Sequence, residues 1–156
     1  MKALRFTVLA AAVAIATLSP AQSIEKKGSG SAKEKLIGAW HLVSIAGSGT
    51  PGSSNGAAGI KGSLIYTRDG HMSVQLMYPP SQSALTNDYV RDGYEASFGS
   101  YDVDEKTHTV THHVQGSVTP GLVGEDLTRA FRFSGGHLII TSIRPDEHWS
   151  VTWEHD

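Results

Sequence analysis

The sequence predicts an all-β fold, an eight-stranded antiparallel up-and-down β-barrel with one short helix. Short segments that alternate apolar and polar residues recur from Leu36 to the end of the chain, and Gly, Pro, Asn and Asp residues separate them. No internal repeat is present. A β-sandwich would also fit the alternation. Eight strands joined mostly by hairpins in a chain of 156 residues favour a barrel, which is just wide enough to hold one small ligand.

Residues 1–21 are predicted to be a secretory signal peptide. Lys2 and Arg5 precede an uncharged apolar run, and small residues follow it at a cleavage site, so that cleavage after Ala21 or Ser23 fits. No later stretch approaches the roughly 18 apolar residues of a membrane span, so no span is expected. The chain has no cysteine for a lipoprotein anchor or a disulfide. The mature protein is therefore expected to be secreted or periplasmic.

Residues 22–35 are predicted to form a flexible lead-in, and residues 36–156 a single barrel domain. The lead-in is rich in Lys, Gly and Ser and has little to bury. The formal net charge is −2, and removing Lys2 and Arg5 with the signal peptide changes it to −4. This mild acidity argues against a nucleic-acid partner. The oligomeric state is not predicted.

The predicted elements follow the chain in order. Arg68-Asp69-Gly70 and Gly135-Gly136 are the clearest hairpin turns. A long glycine-rich loop is expected at residues 47–59. The single helix is expected within residues 84–94, where Thr86 or Asn87 could cap it. Strands are predicted at residues 36–46, 61–67, 71–78, 98–103, 108–118, 126–133, 137–143 and 149–154.

Two of these strands each place a basic residue on an apolar face. Because side chains alternate along a strand, His112 shares a face with Val110, Val114 and Val118. Arg129 likewise shares a face with Leu127, Phe131 and Phe133. If the other faces of these strands point inward, His113 rather than His112 lines the interior. A basic side chain among apolar ones suggests a functional site.

Several short motifs, in their order and spacing, resemble the lipocalin-like domain family found in bacteria and in fungal gene clusters. They are Gly38-x-Trp40, Tyr66-Thr67-x-Asp69-Gly70-x-Met72-Ser73-Val74, Tyr101-x-Val103-Asp104, His112-His113-Val114-x-Gly116-Ser117 with Pro120 and Gly124 after it, and Arg129-x-Phe131. The resemblance covers residues 36–154 and implies a calycin-type β-barrel with an interior cavity. Related barrels include carriers of small apolar molecules as well as isomerases and cyclases, so the resemblance implies no single activity.

The chain also departs from the pattern of classical lipocalins. No arginine follows the last strand to stack on the tryptophan of the first strand, and no C-terminal helix is predicted. No cysteine can staple the end of the chain. Transport by analogy with classical lipocalins therefore does not follow.

The leading hypothesis is an exported barrel that binds a small, largely apolar molecule with a polar or acidic end. Arg129 would be a fixed cation for that end, and His112 would donate a hydrogen bond to it or act as a base. No cofactor is predicted. The alternative is a cofactor-free isomerase or cyclase with His112 as general acid or base and Arg129 as anion stabiliser. The predicted ligand-binding residues are Trp40, Tyr66, Met72, Val74, Tyr101, His112, Arg129, Phe131 and Trp153.

Two other interpretations remain at this stage. Arg129 could pair internally with Asp102, Glu125 or a backbone carbonyl and only close the end of the barrel. The barrel could also be filled by its own side chains and act as a structural or partner-binding module. A metal site is not predicted, because His108 and His112 are about 13 Å apart along a strand and His113 points to the other side.

Overall fold

The computed structural model describes residues 30–47 and 59–156, and these residues form a closed barrel of eight antiparallel strands. Each strand pairs with the next along the chain, and the last pairs with the first. The predicted fold class and the up-and-down topology are therefore confirmed. The strands are β1 Gly38–Gly47, β2 Lys61–Tyr66, β3 His71–Met77, β4 Tyr94–Asp104, β5 Thr109–Ser117, β6 Asp126–Ser134, β7 His137–Ser142 and β8 Trp149–His155.

One short α-helix is present, but it lies in the predicted lead-in. Helix α1 spans Ala32–Leu36, so the last residues of that segment are ordered. Ser31 caps the helix: its hydroxyl accepts a hydrogen bond from the Glu34 N–H at 3.1 Å, and the Glu34 carboxylate accepts from the Ser31 N–H at 3.2 Å. Leu36 is fully buried, and its carbonyl accepts a hydrogen bond from Trp40 Nε1 at 2.8 Å. The helix therefore covers one end of the barrel, which we call the closed end.

The prediction of a helix within residues 84–94 was wrong. A 3₁₀ turn at Pro80–Gln82 is followed by turns and bends. The Asn87 carboxamide oxygen accepts hydrogen bonds from the N–H groups of Tyr89 and Val90, both at 2.8 Å. This local side-chain pairing competes with helical hydrogen bonding. Val90 is still buried, so the segment covers part of the opposite end of the barrel, which we call the mouth.

Two β-bulges decide which residues of their strands point inward. In β1 the pairing with β8 shifts between Leu42 and Ser44, so Val43 is an extra residue. Trp40 is buried before the bulge and Ile45 after it, which explains why this strand is apolar on both faces.

The second bulge corrects the predicted face of β5. The pairing of β4 with β5 shifts at Phe98 and Gly99, where Gln115 is the extra residue. Val118 therefore does not share the inner face of His112, and it is 42% exposed. Phe133, predicted to share the face of Arg129, is 37% exposed, with its ring 6.4 Å from that of Trp40.

Strand β4 begins four residues earlier than predicted. It starts at Tyr94 rather than at Phe98, and it is uninterrupted as far as Asp104. Because Ser97 and Tyr101 are buried, the same alternation turns Glu95 inward.

Some predictions fall on residues that the structure does not describe. These are the signal peptide at residues 1–21, most of the lead-in and the centre of the loop at residues 47–59. Across the described residues, no helix has the length and apolar character needed to span a membrane.

Candidate ligand-binding site

A cavity of about 120 Å³ opens inside the barrel toward the mouth. Its wall is mostly aliphatic and aromatic, with a few polar groups from three neighbouring strands. Glu95 comes from β4, His112 from β5 and Arg129 from β6. The other lining residues are Ile45, Leu64, Val74, Leu76, Tyr78, Asn87, Tyr89, Val90, Ile140, Trp149, Val151 and Trp153.

The structure brings four of the nine predicted ligand-binding residues together around this cavity. They are Val74, His112, Arg129 and Trp153. The other five are buried in the core outside the cavity wall: Trp40, Tyr66, Met72, Tyr101 and Phe131. All nine are buried, which agrees with the predicted alternation at these nine positions. Ligand contact by any of them stays a prediction.

His112 faces the interior and His113 faces outward, which settles the alternative left open by the sequence. His112 is 4% exposed. Its Nε2 lies 2.6 Å from the Tyr66 hydroxyl oxygen, and its Nδ1 lies 3.3 Å from Arg129 Nη1. A guanidinium can only donate, so Nδ1 is the acceptor and the ring proton is on Nε2, which donates to Tyr66. Both ring nitrogens are therefore engaged by protein groups.

Burial keeps this histidine neutral. Desolvation first, and then the positive charge of Arg129, hold the pKa of His112 well below its ordinary value. Burial also raises the pKa of the Tyr66 hydroxyl. A general acid or base role for His112 would require one of its two hydrogen bonds to open.

Arg129 is buried without a carboxylate partner. It is 9% exposed, and no Asp or Glu of the described residues lies within 4.0 Å of its guanidinium. Its Nη1 donates to the Leu127 carbonyl at 3.2 Å and to His112 Nδ1. Asp102, one of the partners considered from sequence, instead lies against His113 on the outside of the barrel.

The edge of Arg129 formed by Nε and Nη2 has no acceptor within the described part of the chain. A guanidinium has five N–H groups, and only the two on Nη1 are engaged here. One N–H of Nε and one of Nη2 run parallel, which matches the two oxygens of a carboxylate. The free edge can therefore bind an acidic group in bidentate fashion.

Two aromatic rings flank the Arg129 guanidinium. Its carbon lies 5.7 Å from the ring centroid of Tyr89 and 5.6 Å from that of Trp149. Glu147 fixes both rings, because it accepts hydrogen bonds from the Tyr89 hydroxyl at 2.8 Å and from Trp149 Nε1 at 2.9 Å. Ser142 and Arg144 also donate to this carboxylate. Burial opposes its ionisation, but these four hydrogen bonds prevail and lower the pKa of Glu147.

Glu95 contributes a carboxyl group to the cavity wall. Surrounding protein atoms enclose its carboxyl, although part of its surface stays accessible through the cavity. Burial raises the pKa of Glu95 to about 7, against the opposing effect of the Arg129 charge. Near neutral pH the carboxyl is therefore divided between its neutral and ionised forms.

Sequence reasoning missed Glu95, Tyr89, Trp149 and Glu147 as site residues. Glu95 was missed because the predicted strand starts at Phe98, four residues after the observed start of β4. Tyr89 lay within the predicted helix, and Trp149 lay at the start of the last predicted strand. The inward position of Glu95 could have been inferred from its spacing to Ser97 and Tyr101, since all three follow period two.

The outward histidine of this region belongs to a different cluster. His113 Nδ1 lies 2.6 Å from an oxygen of Asp126, and Nε2 lies 3.1 Å from one of Asp102. These contacts hold β4, β5 and β6 together from outside. Within residues 30–47 and 59–156, no three His, Cys, Asp or Glu side chains are placed to hold a metal ion.

Comparison with a protein-family model identifies the family of this chain. A sequence model of the family described as a lipocalin-like domain matches residues 37–155. The crystal structure of the wild-type fluorescent protein UnaG is similar at 12% identity and a TM-score of 0.41, covering 79% of this chain and 98% of that one. The structure of the siderocalin Ex-FABP, which functions through dual ligand specificities, is similar at 9% identity and a TM-score of 0.29, covering 78% of this chain and 74% of that one. No curated protein matches this chain.

Proposed function

The chain belongs to the lipocalin-like domain family, and we propose that its barrel binds one small, largely apolar molecule with an acidic end. A closed eight-stranded barrel with an interior cavity is a small-molecule-binding architecture. The acid would sit at the Arg129 guanidinium, and the body of the ligand would lie among the apolar side chains toward β2 and β3.

The observation that carries this proposal is the free Nε and Nη2 edge of Arg129. A buried cation is costly unless an anion or several acceptors compensate it. Within the described chain, Arg129 donates hydrogen bonds to one carbonyl and one imidazole nitrogen and lies against two aromatic rings. No anion of the described chain pairs with it. A ligand carboxylate would supply the missing charge.

The remaining cavity wall supports an apolar body for the ligand. Leu64, Val74, Leu76 and Ile140 provide aliphatic surface. The volume of about 120 Å³ is close to that of an engineered cavity of about 150 Å³ that accommodates benzene. The barrel is therefore not filled by its own side chains, and one ring or a short chain fits.

No observation specifically favours the isomerase or cyclase alternative. It requires a free nitrogen on His112, and both nitrogens are engaged by Tyr66 and Arg129. In the binding proposal, His112 orients Arg129 instead of contacting the reacting atoms.

The binding proposal is tested by calorimetric titration with benzoate, its methyl ester and benzylamine. We expect the acid to bind more tightly than the ester or the amine. Arg129→Met should weaken benzoate binding by about tenfold or more, the usual scale for losing charge-assisted hydrogen bonds. Arg129→Met should also fold, with a melting temperature at or above that of the parent, because a thioether needs no counter-charge in the interior.

Arg132→Met is the matched control, since Arg132 is exposed on the same strand. It should leave benzoate binding unchanged. Equal binding of acid and ester, or full retention of benzoate binding by Arg129→Met, would contradict the proposal. If Arg129→Met does not fold, Arg129→Lys keeps the charge but loses the fork, and the same loss of affinity is expected.

We also propose that binding takes place outside the cytoplasm, on the basis of the predicted signal peptide. Intact mass measurement of the protein from a periplasmic or secreted fraction tests this. The proposal requires a chain shortened by 21 or 23 residues, and recovery of only the full-length cytoplasmic chain would refute it.

A further inference from the structure

Glu95 is a carboxyl group inside the cavity with no partner in the described chain. Its side chain accepts no hydrogen bond there and lies more than 4.0 Å from every Lys, Arg and His nitrogen of those residues. The charge of Arg129 on β6 acts on the Glu95 carboxyl. Tyr78, at the end of β3, interacts with this carboxyl as a charge only when it is ionised. His112 on β5 is held neutral. A carboxyl in such a place is costly and contributes nothing visible to packing.

Trp153 also lies on the cavity wall. The residue is 2% exposed, and its indole N–H is buried without an acceptor in the described chain. This nitrogen has almost no accessible surface, so it faces packed protein atoms rather than the open space of the cavity and does not indicate a ligand atom. Trp153 is on β8, four strands from Glu95 on β4, so the two residues lie on opposite walls of the closed barrel.

Two charged groups of the cavity wall differ in what they can bind. Arg129, on β6, can only donate hydrogen bonds. Glu95, on β4, accepts when ionised. A ligand that satisfied both groups would carry an acceptor at one position and a hydrogen-bond donor at another.

We propose that the cavity recognises a single-ring aromatic hydroxy acid, with its carboxylate toward Arg129 and its ring hydroxyl donating to Glu95. This inference rests on the proposed function for the acid end and adds the donor at the opposite end. The cavity volume restricts the ligand to about one ring. The aliphatic wall between the polar ends fits the ring faces.

The test is calorimetric titration at pH 8 with benzoate, 3-hydroxybenzoate, 4-hydroxybenzoate and phenol. At this pH Glu95 is mostly ionised and accepts. In the parent, at least one hydroxybenzoate should bind about tenfold more tightly than benzoate, because a charged acceptor strengthens the bond to the hydroxyl. Glu95→Leu should reduce this affinity ratio to about threefold or less. If Glu95→Leu does not fold, Glu95→Gln takes its place and should give an intermediate affinity ratio.

Two controls accompany these variants. Glu125→Gln changes an exposed carboxylate outside the cavity and should keep the hydroxyl advantage. Trp153→Phe keeps an aromatic ring and removes an N–H that is closed off from the cavity, so it should also keep the hydroxyl advantage.

The outcomes separate this inference from the proposed function. If benzoate binds and Arg129→Met abolishes it, while neither hydroxybenzoate binds better than benzoate, the acid site stands and the Glu95 inference is overturned. An unchanged hydroxyl advantage in Glu95→Leu overturns it as well. If no acid binds but phenol does, and Glu95→Leu abolishes phenol binding, the acid function fails and recognition of a hydroxyl by Glu95 is supported.

Discussion

His112, Arg129 and Glu95 show what single residues reveal before and after folding. The two basic residues could be picked out from sequence because each stands alone among apolar neighbours with period two. The network that holds them could not, because Tyr66 is 46 positions from His112 and reaches it only through the closure of the barrel. The structure shows His112 as a neutral link between a phenol and a guanidinium.

Glu95 should make the stability of the protein depend on pH. Its folded pKa is raised from 4.5 to about 7, so the folded state holds this proton at pH values where the unfolded chain has lost it. The stabilisation is fully present below pH 4.5 and is lost as the pH rises toward 7. Glu95→Gln stays neutral, so its stability relative to the parent should rise between pH 4.5 and 7 and level off above that.

Urea denaturation at pH 4.5, 6 and 8 measures this difference. Glu125→Gln is again the control. The difference between its free energy of unfolding and that of the parent should stay nearly constant from pH 4.5 to 8. A stability difference for Glu95→Gln that does not change with pH would show that the Glu95 carboxyl is solvated rather than enclosed.

At the scale of elements, the start of β1 and the end of β8 pack against each other. The His155 ring lies edge-on against Trp40, with ring centroids 4.7 Å apart. Gly38 makes this possible. It has a φ of 142°, and a Cβ built there would overlap the His155 imidazole. The Gly-x-Trp motif thus serves contact between the first and last strands.

Gly38→Ala should therefore destabilise the protein by about 1–3 kcal/mol, because both the backbone conformation and the His155 ring oppose the added methyl group. Thermal or urea unfolding checks this. Gly121→Ala is the control, since a Cβ at Gly121 meets nothing within 4 Å, and its effect should stay within about 0.5 kcal/mol. If Gly38→Ala and Gly121→Ala were equally stable, the proposed packing role of Gly38 would be contradicted.

The sequence misplaced elements for two physical reasons. Asn87 pairs with the backbone of Tyr89 and Val90, which replaces helix formation by a turn. The bulges at Val43 and Gln115 each insert one residue and reverse the face of everything that follows. Neither residue type is distinctive of a bulge, so strand alternation alone assigns Val118 to the wrong side.

At the scale of the whole molecule, two outward histidines link strands that the barrel brings together. His113 bridges carboxylates of β4 and β6, and His41 on β1 contacts Glu154 and Asp156 at the end of the chain. Hydrogen bonds to Asp126 and then Asp102 raise the pKa of His113 above its ordinary value, although burial opposes them.

The His113 bridge should stabilise the barrel most at mildly acidic pH. Because its folded pKa is raised, the stabilisation is complete below about pH 6.5 and disappears as the pH rises through the folded value. His113→Gln should therefore melt about 1–3 °C below the parent at pH 5.5 and close to it at pH 9, in keeping with a partly exposed ion pair. Thermal unfolding at low salt measures the difference.

His148→Gln, at an exposed position without a carboxylate partner in the described chain, should show no such trend with pH. If the difference in melting temperature between His113→Gln and the parent is the same at pH 5.5 and 9, the two aspartates do not stabilise the protonated form of His113.

The sequence by itself determined the architecture and the inward set of residues. Alternation and turn chemistry are local properties of the backbone, so they predicted eight antiparallel strands, and most of the predicted inner positions are buried. Only the tertiary structure decided which inner residues surround a cavity. Depth along a barrel depends on strand register, on the bulges and on what covers each end, and all of these are contacts between distant parts of the chain. Tyr66 and Glu95 therefore both point inward from their strands, yet one is packed beneath His112 and the other faces open space.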